Sequence, residues 1–112
     1  MPDFASPFSG QDMDRKMTDR ELVRALRLDL AAEEEATSTY EAHADSTDNE
    51  LVKKALQSIA DEERIHVGEF QKLISMLVED EDELLDDGAG EIEDMTASSK
   101  NWYRTAATKD LL

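Results

Sequence analysis

The sequence predicts an all-α fold, an antiparallel hairpin of two long helices followed by a short third helix. Three observations point there. The same helix-start pattern occurs at Thr18 and again at Thr47, apolar residues inside both following segments recur at helical spacing, and only a few polar residues separate the segments. Long helices joined by so tight a link pack antiparallel.

The first 17 residues hold both prolines, Ser6, Ser9 and Gly10 without a sustained period and are expected to form a flexible arm. Thr18-Asp19-Arg20-Glu21 is a capping box: the threonine oxygen accepts an orphan amide hydrogen bond and the glutamate reaches back to the cap's own amide. A helix over about 19–45 is expected from it. Thr47-Asp48-Asn49-Glu50 repeats the device and opens a second helix over about 48–79. Beyond the acidic run Glu79 to Glu83 come Leu84-Leu85, and Gly88 with Gly90 is expected to break any helix that continues. Glu91 to Thr96 then form the short third helix with Ile92 and Met95 inward. Residues 18–96 thus make one helical domain, and residues 97–112 a flexible tail carrying Trp102, Tyr103 and Leu111-Leu112.

Composition narrows the function. Of 112 residues 28 are acidic and 12 basic, a net charge of −16 with both histidines neutral. So negative a surface repels phosphates and anionic lipid, which excludes nucleic-acid and membrane-surface binding, and makes cations the natural ligands. The absence of cysteine excludes disulfide and zinc-thiolate scaffolds and fits an intracellular setting. No apolar run approaches the roughly 20 residues of a membrane span, and Met1-Pro2-Asp3-Phe4 lacks the basic-then-apolar plan of a signal peptide.

The inner faces carry the chemistry. In the second helix, positions seven apart form the lines Val52-Ile59-His66-Leu73 and Leu56-Glu63-Phe70-Leu77, the apolar seam of a bundle helix interrupted by Glu63 and His66. In the first helix the line Leu26-Glu33-Tyr40 is interrupted by Glu33, with Leu22 and Leu30 close by. A carboxylate taken out of water costs several kcal/mol unless it is paired, protonated or bound to a metal. Counted from the turn at Thr47, Glu33 lies 14 residues back and Glu63 lies 16 forward, roughly 21 and 24 Å along their helices. They sit at one level, with His66 one turn beyond Glu63. Glu-x-x-His is common by chance in so acidic a chain, but its register with Glu33 is not. Two hard carboxylates and an imidazole suit iron or manganese. The competing reading is a buried polar network or a partly solvated seam.

Glu33-x6-Tyr40 followed by Glu63-x-x-His66, within Ala32-Glu33-Glu34-Glu35-Ala36 and Asp61-Glu62-Glu63-Arg64-Ile65-His66-Val67-Gly68-Glu69-Phe70, resembles the ferritin-like superfamily, and within it the encapsulated ferritins, whose chains encode half a ferritin bundle. The resemblance runs from about Thr18 to Met95, with Thr39 where some members carry tryptophan. It implies oxidation of Fe(II) by dioxygen inside an encapsulin nanocompartment in the cytoplasm, with Glu33, Glu63 and His66 as iron ligands. It further implies homodimers that complete a four-helix di-iron bundle and associate into a ring.

Length agrees independently. A di-iron bundle site uses four carboxylates and two histidines from four helices, and one chain offers half of that set. A two-fold dimer doubles it, most economically with both Glu63 carboxylates bridging two metals and each Glu33 and His66 terminal to one. Manganese or calcium are candidate substitutes. Two ferrous ions held together can each give one electron to dioxygen, so no one-electron oxygen radical need be released. Tyr40 either hydrogen-bonds near the metals or fills the dimer seam with its ring. Glu35, with Glu34 and Glu62, is a candidate ferrous-ion uptake site set against a plain solvated face, and His43 reads as a surface histidine. Two rival functions remain. One is a peroxide-removing di-metal enzyme like rubrerythrin or manganese catalase, although rubrerythrins normally add a thiolate iron centre. The other is a non-enzymatic acidic hairpin that oligomerises. The tail is expected to target the shell or to be a linker to it.

Overall fold

The computed structural model describes residues 14–98. Among them are three helices and no strand: α1 (Asp19–Asp45), α2 (Glu50–Leu77) and α3 (Glu81–Ser98). The described residues fall into two compact units divided between Val78 and Glu79. Most of the expected arm, and all but the start of the expected tail with Trp102, Tyr103, Leu111 and Leu112, lie outside the described residues.

The capping box at Thr18 forms as its sequence demands. Glu21 N donates to Thr18 Oγ1 at 3.2 Å, and Thr18 N donates to Glu21 Oε1 at 2.9 Å. Arg15 reinforces it with two bonds of 2.7 Å onto the Glu21 carboxylate. Held first by that guanidinium and then by the Thr18 amide, the carboxyl is lowered to about 2.

At the other end, Ser46 N donates to His43 O at 3.1 Å and Ser46 Oγ to Ala42 O at 2.8 Å, closing α1. The expected second box shifts by two residues. The cap of α2 is Asn49, whose Oδ1 accepts from Val52 N at 3.1 Å, while Thr47 Oγ1 accepts from Asn49 N at 3.2 Å. Asparagine is as good a cap as threonine, and here it is the residue adjacent to the helix. The link is Ser46 to Asn49. At the far end Val78 turns extended, and its N–H still donates to Ile74 O at 2.9 Å.

Along the hairpin, α1 and α2 pack on lines one step away from those expected. Val23, Leu30, Thr37 and Ala44 lie on one side, with Lys53, Ala60, Val67 and Ile74 on the other; Thr37, Ala44, Ala60 and Ile74 are buried. Two helices can cover only a narrow strip of each other. The expected lines therefore flank the contact: Leu26, Glu33, Tyr40, Leu56, Glu63 and Phe70 are half-buried. Further round α2, Val52, Ile59, Leu73 and Leu77 are each 42% to 44% exposed. These apolar residues form an open stripe along the hairpin.

In the second unit, α3 starts with Leu84 N donating to Asp80 O at 3.0 Å and runs through both glycines to Ser98. The expected break at Gly88 and Gly90 is thus corrected. Each glycine costs a helix about 1 kcal/mol relative to alanine, and that is a penalty rather than a stop. Ile92 and Met95, expected inward, are exposed, because among the described residues of this unit α3 is the one regular element. Among the described residues no helix is long and apolar enough to cross a membrane.

Candidate metal centre

The hairpin brings Glu33 of α1 together with Glu63 and His66 of α2, all three half-buried. One ligand atom from each lies within 4.8 Å of the others, and no other such group of histidine and carboxylate residues occurs among the described residues. The level estimated from the turn is therefore the level at which they meet. Glu63 and His66 share a face because they are three residues apart on α2. Glu33 reaches them because its line borders the helix contact.

His66 presents Nδ1 to both carboxylates, 3.4 Å from Glu63 Oε2 and 3.6 Å from Glu33 Oε2. These separations exceed the 2.7–2.9 Å of a charge-assisted hydrogen bond, so the three groups do not close into a hydrogen-bonded network. They suit a metal ion. Two donors each about 2.1 Å from an ion stand about 3.4 Å apart at a tetrahedral angle and about 3.0 Å at a right angle. The donor set also fits chemically, since two carboxylate oxygens and one imidazole nitrogen match the preferences of iron or manganese. Three donors on one chain leave further coordination positions open.

Tyr40 lies half-buried on α1, two turns from Glu33 towards the bend. Glu34, Glu35 and Glu62 are exposed and stand apart from the three-residue cluster, and Thr39 and His43 are exposed as well. Two residues near the site escaped the sequence reading. Asp29 stands one turn before Glu33 on α1, and partial burial pushes its carboxyl above the ordinary aspartate value. Its four-residue spacing from Glu33 was the available signal. Thr37 is buried one turn after Glu33 and donates from Oγ1 to Glu33 O at 2.9 Å. Its place seven residues from both Leu30 and Ala44, and four from Glu33, was the signal that separates it from its exposed neighbours Ser38 and Thr39.

The rubrerythrin family model matches residues 24–107. The chain is 52% identical over 63 residues to the encapsulin nanocompartment cargo protein EncC of Myxococcus xanthus, a match covering 56% of this chain and 48% of that protein. It is 37% identical over 83 residues to the ferritin-like-encapsulin shell fusion protein of Pyrococcus furiosus, covering 74% of this chain and 24% of that protein. The chain thus spans about half the length of the first of these relatives and about a quarter of the second. The crystal structure of the encapsulated ferritin domain from Pyrococcus furiosus superposes with a TM-score of 0.76 at 33% identity, covering 85% of this chain and 97% of that one. The half-bundle fold with its paired glutamates and histidine therefore has a family: the chain belongs to the rubrerythrin-type ferritin-like proteins and is a relative of the encapsulated ferritins.

Proposed function

We propose that this protein is a ferroxidase that oxidises Fe(II) with dioxygen at a di-iron site shared between two copies of the chain. One observation carries the proposal: Glu33, Glu63 and His66 cluster at the open border of the hairpin, beside the exposed stripe Val52, Ile59, Leu73 and Leu77. The cluster is half of a di-iron ligand set, and the stripe is the surface a second hairpin would cover. Glu63, bridging across the two-fold, and Glu33 and His66, each terminal to one ion, would hold two ferrous ions side by side. Two ferrous ions held there would supply one electron each, a two-electron reduction of dioxygen as both become ferric. Tyr40 is then either a hydrogen-bonding group near the ions or a ring packed in the seam. Exposed Glu35, with Glu34 and Glu62, would collect ferrous ions from solvent.

Because these relatives are an encapsulin cargo protein and a shell fusion, we assign this chain to an encapsulin nanocompartment; its working there as a ring of dimers in the cytoplasm is part of the same proposal and rests on the family resemblance. A half-bundle encloses no storage volume, so mineral would accumulate in the shell's lumen. Residues 97–112 are the candidate targeting or linking segment. Deleting them should leave iron oxidation intact and prevent loading on co-expression with the shell; normal loading would refute the targeting role.

The family model supports a second reading, a peroxide-removing enzyme, although this sequence has no cysteine for a thiolate iron centre. Ferrous titration under oxygen decides between them. A ferroxidase takes up iron stoichiometrically and consumes oxygen fast. A peroxidase or catalase turns over added peroxide faster than oxygen, and a purely oligomerising hairpin binds no metal.

A further inference from the structure

Thr37 is the one buried polar side chain among the described residues, 9% exposed in the strip where α1 meets α2. Its Oγ1 donates to Glu33 O at 2.9 Å, the carbonyl to which Thr37's own backbone N–H also bonds within the helix. Ser46 and Thr96 make the same kind of bond to Ala42 and Ile92. Those two bonds are exposed, at the ends of helices, and their acceptors belong to residues outside the cluster. The Thr37 bond is inside the hairpin and its acceptor is the peptide of a candidate ligand.

A hydroxyl sharing a helix carbonyl tilts that carbonyl and bends the helix locally. Water can relax such a bend on a surface, but not between packed helices. The direction of the Glu33 side chain leaves from this turn, and a ligand must hold its place within about 0.5 Å to meet donors on another helix. We propose that Thr37 is a positioning residue, whose hydroxyl fixes the α1 backbone at Glu33 so that its carboxylate meets Glu63 and His66 across the hairpin. The proposal rests on the metal-binding reading of that cluster.

Valine matches threonine in shape and leaves no polar group to satisfy, so a role limited to packing predicts that Thr37→Val changes nothing at the site. The test titrates Mn(II) into the full chain, following free Mn(II) by electron paramagnetic resonance, with thermal unfolding of the metal-free proteins alongside. Thr37→Val should melt at or above the wild-type temperature and bind Mn(II) about tenfold more weakly, the lower end of what outer partners of ligands contribute. Thr37→Ser keeps the hydroxyl and should stay within about twofold of wild type, because the tilting bond is retained. Wild-type affinity in Thr37→Val, or an equal loss in Thr37→Ser, would overturn the positioning role. Glu33→Gln separates the two levels of the argument: if it binds Mn(II) like wild type, the metal centre itself is wrong and Thr37 falls with it.

Discussion

Glu63→Ala and His66→Ala each remove one donor from a cluster that has only three. Rapid iron oxidation should fall to the uncatalysed rate in both, while helix content is kept and metal-free stability stays within about 1 kcal/mol of wild type. Stopped-flow absorbance and circular dichroism check this, and wild-type oxidation in both variants would remove the cluster from the mechanism. Both residues were legible because a charge at a seam position violates the apolar period. Asp29 was not, since its spacing from Glu33 is shared by many acidic residues in so acidic a chain. Its carboxyl, raised by partial burial, gives a pH test. With a folded pKa above the unfolded one, ionisation at neutral pH opposes folding, and this cost vanishes as the pH falls through the folded pKa until both states are protonated. Asp29→Asn should therefore stabilise the metal-free chain at pH 7, by less than about 1 kcal/mol given solvent screening. It should do nothing well below 3.8, the ordinary aspartate value. Equal shifts at both pH values would assign the effect to packing.

At the scale of elements, α3 offers the plainest test. A Cβ at Gly88 or Gly90 meets no atom within 4 Å. Alanine at either position should therefore stabilise the helix by about 0.5–1 kcal/mol, read as a stronger helical signal and a higher melting temperature. Weakened assembly instead would mean that a neighbouring molecule occupies that surface. The extent of α3 was not legible because two glycines were read as a stop, although Leu84, Leu85, Ala89 and Glu91 around them favour a helix. The start of α1 was legible to the residue, because Thr18 and Glu21 have no better competitor. At α2 the competitor was Asn49, two residues closer to the helix than Thr47. The period also located the apolar faces only to within one position, so the true contact line through Ala60 and Ile74 was passed over in favour of its bulkier neighbours.

For the whole molecule, the net charge of −16 sets repulsion between copies against the pull of an open apolar stripe. Ferrous or calcium ions bound between the Glu33 and Glu63 carboxylates of two copies would neutralise part of that repulsion. Binding is then linked to association, and saturating metal should shift native mass spectra from monomer towards dimer and larger rings. An unchanged distribution from a largely monomeric start would contradict a metal-bridged interface. Screening by salt should act in the same direction at far higher concentration. That the chain folds as a hairpin of two long helices was legible from its capping residues and apolar period. What covers its stripe was not, because one sequence specifies the complement only through symmetry. The four residues from Ser46 to Asn49 that join α1 to α2 also have a kinetic meaning. Loops of about ten residues close in roughly 10–100 ns, and contacts that zip outward from such a bend are local and fast. Once His66 has left the ribosome the chain already holds every residue of its cluster. Capture of a first ion by that cluster would need only one copy of the chain, so with metal in excess its observed rate would not depend on protein concentration, whereas joining of two copies slows with dilution; rapid mixing at several protein concentrations should separate them into two phases.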